Sequence, residues 1–116
     1  MSTKTPECWA SDPKARGLRI ELSPERSLLL PHDQFMFAEL TGGGDEQNLK
    51  LVFAAHEVSV RGHHLRRLET VMQRLELSQL TNLPRNQRNF ITEGQPVILE
   101  IVVTESQDAE KQTKEA

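Results

Sequence analysis

Two apolar rhythms run along this sequence of 116 residues, one of period two and one of period three to four, and they occupy different stretches. Leu18, Ile20 and Leu22 alternate with Arg19 and Glu21, the pattern of a strand with one face in water. Further on, Leu65, Leu68, Met72 and Leu75 recur at three and four with Val71 beside them, while Arg66, Arg67, Thr70, Gln73 and Arg74 fill the opposite side. That is an amphipathic helix that packs by one stripe. A chain holding both rhythms, with strands before the helix and another behind it, reads as α+β.

Turn chemistry divides the strand-forming half. Pro24, between Ser23 and Glu25, stands where a type I turn takes proline, so the first strand reverses into residues 27–30. Pro31 has no N–H for a ladder and marks an interruption or a sheet edge. Residues 34–40 read as the next strand, with Phe35 and Phe37 on one face. Residues 41–48, with Gly42, Gly43 and Gly44, form a polar loop between antiparallel strands. Leu49, Leu51, Phe53 and Ala55 then take odd positions, but Val58 and Val60 take even ones. Such a slip predicts a β-bulge or sharp bend near residues 55–57.

Gly62 is expected to break that strand, and Leu77, Leu80 and Leu83 continue the helix less regularly until Pro84 ends it. A polar loop at 85–89 and a turn at 94–96 lead into residues 97–103, which are apolar on both faces and predict a central strand covered on both sides. The expected architecture is a bent antiparallel sheet or small open barrel of about five strands, with one amphipathic helix before the last strand. Residues 1–17 read as a flexible N-terminal leader, 18–104 as a single α+β domain and 105–116 as a disordered charged tail without apolar period.

Composition narrows the function classes. Cys8 is the one cysteine, so no disulfide forms within the chain, which fits a reducing compartment. No run approaches the ~18 apolar residues of a membrane span, and the first residues lack the apolar stretch of a signal peptide. A soluble, cytoplasmic protein without membrane contact is expected.

Motifs for catalysis fall short one by one. His56 and Glu57 open like a zinc-protease motif, but Val60 stands where the second histidine belongs. His32, His56, His63 and His64 lack the paired Cys and His spacing of a structural zinc site. The triple glycine continues into Asp45 and Glu46, not into the Lys-Ser/Thr of a phosphate-cradling loop. No serine sits in a nucleophile elbow, and Cys8 has no basic neighbour closer in sequence than Lys4. Neither an enzyme nor a metal or cofactor is expected.

The net charge of −3 conceals an uneven distribution, because residues 61–88 carry six arginines against Glu69 and Glu76. Most such blocks are solvated helix faces. Arg61, His63, His64, Arg66 and Arg67 nevertheless gather at a strand-to-helix turn with Arg74 about two turns on, a candidate anion or nucleic-acid site. The acidity of the whole chain, a single tryptophan and no tyrosine weigh against nucleic acid.

One short helix cannot cover every apolar strand face, so the first expectation is a non-catalytic binding or assembly domain that self-associates through its sheet into a homo-oligomer, a dimer before others. The alternative is an RNA- or DNA-binding module using the arginine-rich turn 61–67.

Overall fold

A computed structural model describes residues 8–42, 44–82 and 94–105. They form eight strands and one α-helix in two four-stranded sheets that do not close into a barrel. The first sheet holds β1 (Trp9–Ser11), β2 (Gly17–Ser23), β3 (Arg26–Pro31) and β7 (Leu77–Thr81) in the order β1-β7-β2-β3. The second holds β4 (Phe35–Thr41), β5 (Gln47–Phe53), β6 (His56–His63) and β8 (Val97–Glu105) in the order β4-β5-β6-β8. Helix α1 (Arg66–Gln73) joins β6 to β7. The α+β class therefore stands, but the strands among the described residues number eight, and two of them follow the helix.

The β2–β3 hairpin forms as its turn residues dictate: the Glu25 N–H donates to Ser23 Oγ at 3.3 Å, and Leu18 pairs with Leu30 and Ile20 with Leu28. Pro31 ends β3 on the outer edge of its sheet, where no neighbour asks for its missing N–H. The chain crosses to the second sheet through a 3-10 turn (His32–Gln34), and the buried His32 pins that corner. Its Nε2 lies 2.8 Å from the Leu77 carbonyl oxygen, its Nδ1 3.2 Å from that of Ala15, and its backbone N–H donates to the Arg16 carbonyl at 2.8 Å.

Two expectations about strand phase are corrected by pairing. The slip near residues 55–57 is neither a bulge nor a bend within one strand. It is a tight hairpin at Ala54 and Ala55, in which Leu51 pairs with Val58 and Leu49 with Val60, so inward positions pass from odd to even numbers. Phe35 and Phe37 do not share a face, because the register shifts between them and Met36 is the extra residue. Phe35 packs edge-to-face on Phe53 with ring centroids 5.5 Å apart, whereas Phe37 is 52% exposed.

Gly62, expected to break the strand, lies buried inside β6. A Cβ there would stand 1.9 Å from the Val97 carbonyl oxygen, so only glycine admits the close approach of β8 at this point.

Among the described residues β8 is an edge strand, not a central one, since β6 is its only neighbour there. Arg61 pairs with Glu100 and Gly62 with Ile98, which leaves Leu99 as the bulged residue and brings Ile98 and Ile101 to the same buried side. Both-face burial fails outside that stripe, where Val102 is 44% exposed.

The helix stops earlier than its rhythm suggests. The Leu75 N–H donates to the Met72 carbonyl at 2.8 Å and the Glu76 N–H to the Val71 carbonyl at 3.1 Å, the paired bonds of a Schellman cap. Leu75 occupies the left-handed position of that cap with φ +56° and is turned outward rather than completing the apolar stripe. Leu77 and Leu80 then belong to β7, which pairs antiparallel with β1 and parallel with β2. The sheets are thus not wholly antiparallel.

Residues 8–17, assigned from sequence to a leader, supply β1 and a buried Cys8 whose Sγ–H donates to the Pro96 carbonyl at 3.2 Å. Residues 85–89 and 106–116, expected as loop and tail, lie outside the described residues. Both sheets and the helix feed one core, in which Leu18, Ile20 and Leu80 meet Leu49, Leu51 and Val60 with Leu65, Leu68 and Met72. No described helix is long and apolar enough to cross a membrane.

Candidate functional site

The polar side of α1 faces a groove. At about 100° per residue Arg66, Arg67, Thr70 and Arg74 fall within one arc, opposite the buried Leu65, Leu68 and Met72. The groove is also lined by Trp9 and Ser11 of β1, Gly44 and Asp45 of the β4–β5 loop, His63 at the end of β6 and His64 just after it. The space they enclose is about 920 Å³ and opens to solvent.

Five of the six candidate residues meet there: His63, His64, Arg66, Arg67 and Arg74. Arg61 does not. It projects from β6 between two acids, 3.0 Å from Glu46 and 3.4 Å from Glu100. The hydrogen bond to Glu46 and the charge of that carboxylate raise its pKa above the ordinary arginine value, and Glu100 adds to the effect. This arginine is balanced by the chain's own carboxylates.

The groove residues are held by their neighbours in distinct ways. Nδ1–H of His63 donates to the Asp45 carbonyl and ties the β4–β5 loop to the end of β6. His64 takes a left-handed conformation with φ +57° to turn the chain from strand into helix. The Leu65 N–H donates to Gln47 Oε1 at 2.8 Å, so one of the free amides expected to greet an anion at the helix start is already used. Arg66 reaches Glu69 only loosely, at 3.8 Å, and its side chain is 77% exposed.

Arg67 lies over Trp9 with its guanidinium carbon 5.8 Å from the ring centroid. Neither Arg67 nor Arg74 has an ion-pair partner among the described residues. Asp45 and Glu76 are the acids lining the groove, against three arginines.

Sequence reasoning gathered the helix residues but missed Trp9, Ser11 and the β4–β5 loop. Trp9 reaches the groove because it pairs with Leu80 across β1 and β7, and no local pattern announces a pairing across that span. The other candidates dissolve. His56 and Glu57 lie in a strand, where a helical zinc motif cannot form. Among the described residues no three His, Cys, Asp or Glu side chains converge to hold a metal ion.

No protein-family model, curated protein or solved structure matches the chain.

Proposed function

We propose that this chain is a non-catalytic binding domain whose ligand is anionic and sits in the groove between α1 and β1. The observation that carries this reading is the convergence of Arg66, Arg67 and Arg74 on one concavity in a chain of net charge −3, with no carboxylate partner for two of them among the described residues. Guanidinium groups hold phosphate and carboxylate oxygens through paired N–H donors, and they keep their charge at any working pH. Among the described residues the lining holds no hydroxyl hydrogen-bonded to an imidazole, one common arrangement for nucleophilic catalysis.

The test uses the chain's own reporter. Trp9 is the single tryptophan and lines the groove, so its fluorescence reads the site directly. Inorganic tripolyphosphate should change that fluorescence saturably, and the change should vanish in the triple variant Arg66→Ala, Arg67→Ala, Arg74→Ala. A wild-type protein indifferent to tripolyphosphate at low salt overturns the anionic ligand.

A second reading is self-association through the second sheet, favoured by one observation. β4 is an edge strand carrying Met36 at 63% and Phe37 at 52% exposure, and open edges with apolar side chains recruit further strands. Light scattering should then give a dimer that Phe37→Ser weakens, and a 13.2 kDa monomer at high concentration removes this reading.

A further inference from the structure

We infer that the anion is the backbone of a short single-stranded nucleic-acid segment, with one base stacked on the Arg67 guanidinium. This rests on the anionic groove proposed above and names its occupant. Arg67 and Arg74 are seven residues apart, so their backbone positions lie about 10 Å apart along the α1 axis. A ligand that repeats its negative charge along its length, as a nucleic-acid strand does, can offer each of these arginines a phosphate of its own.

The aromatic partner points the same way. The Arg67 guanidinium carbon lies 5.8 Å from the Trp9 ring centroid, and both residues line the cavity. A guanidinium and an indole side by side on the groove wall each offer a flat face, and bases splayed from a single strand stack on arginine and aromatic planes. The volume of about 920 Å³ stands at the upper end of the range for small-molecule sites and is open, which suits a strand lying across it more than an enclosed metabolite. Asp45 and Glu76 flank the arginines, so the groove offers separated positive positions rather than a uniform basic field.

The shared chemistry is a base joined through its sugar to a phosphate, which a free nucleotide also carries, and the arms of the experiment separate the two. Fluorescence anisotropy of a labelled single-stranded decamer is measured on the full chain between 50 and 200 mM salt. An abasic decamer, a mononucleotide and the tripolyphosphate probe serve as competitors.

Binding of the decamer should weaken with salt at a log–log slope of about −2, since three arginine contacts at about −0.7 each neutralise three phosphates. The abasic strand should bind roughly tenfold more weakly, the stacking of one base. Arg67→Lys should lose a similar factor while keeping the salt slope, because lysine retains the charge and not the plane. Its melting temperature should be unchanged, since Arg67 is exposed.

Equal affinity for the abasic strand overturns the stacked base, and a mononucleotide as tight as the decamer overturns the strand. Tripolyphosphate binding without decamer binding overturns the nucleic acid and leaves the anionic groove standing. Absence of all binding removes both.

Discussion

The two sheets differ in how far apart in the chain their neighbours lie. In the second sheet β4, β5 and β6 follow one another through short loops, and only β8 arrives from a distance. In the first sheet the β2–β3 hairpin is local, but β1 and β2 both pair with β7 across most of the chain. Hairpins signal themselves by turn residues, whereas a long-range or parallel pairing leaves no local mark and costs more chain entropy to close. The second sheet supplies most of the strand faces in the core, while the first brings Trp9 to the groove. Function on this reading depends on the less local half.

The sharpest way to break the comparison is Gly62→Ala. The added methyl would meet the Val97 carbonyl oxygen, backbone that cannot swing away, so β8 must separate from β6 at that point. We expect a loss of about 4 kcal/mol, enough to unfold much of the protein, read as a collapse of the urea midpoint. A variant with native stability would show that β8 is dispensable and that the second sheet stands on β4, β5 and β6 alone.

Strand phase explains why some of this was legible and some was not. The hairpins at Ser23–Arg26 and Gly42–Gln47 carry turn residues, and the reversals fell where those residues stand. The hairpin at Ala54 and Ala55 carries no glycine, asparagine or aspartate, so the change of phase was all that showed. A bulge and a turn change phase alike.

Bulges mislead in a second way. Where one extra residue enters a strand, inward side chains fall three apart instead of two: Phe35 and Ala38 around Met36, Leu77 and Leu80 around Ser78, Ile98 and Ile101 around Leu99. A spacing of three is also a helix spacing, which is why Leu77 and Leu80 read as a fading helix. The groove was half legible for the same reason. Its helix face lies within residues 66–74, but Trp9 depends on β1 finding β7.

Leu80→Ala probes the first sheet at its centre, where Leu80 is fully buried and pairs with Trp9 on one side and Ile20 on the other. Truncation of a buried leucine should cost about 3 kcal/mol. Both sheets share one core, so we expect a single transition in which Trp9 fluorescence, reporting the first sheet, and far-UV circular dichroism, reporting both, lose structure together. If fluorescence falls at a lower denaturant concentration than dichroism, the first sheet opens as a separate unit and the contrast between the sheets is energetic as well as topological.

The smallest expected effect lies where the helix hands over to the first sheet. Leu75 holds φ +56° at the position of a Schellman cap that glycine ordinarily fills, and a side chain there costs roughly 1–2 kcal/mol through its crowding of the backbone. Glycine removes that cost but loses more chain entropy on folding, about 0.5–1 kcal/mol, and it forfeits whatever the exposed Leu75 side chain contributes. Comparison with Leu75→Ala cancels the last contribution, because both variants lack the leucine while only alanine keeps the Cβ. Leu75→Gly should therefore be the more stable of the two by about 0.5–1 kcal/mol, a rise in melting temperature of about 4 °C for a domain of this size. The bonds from Leu75 and Glu76 to Met72 and Val71 fix where α1 ends and hence where β7 begins. An alanine variant as stable as the glycine variant would mean that the cap is not held in solution, and that pairing with β1 and β2 alone sets the start of β7.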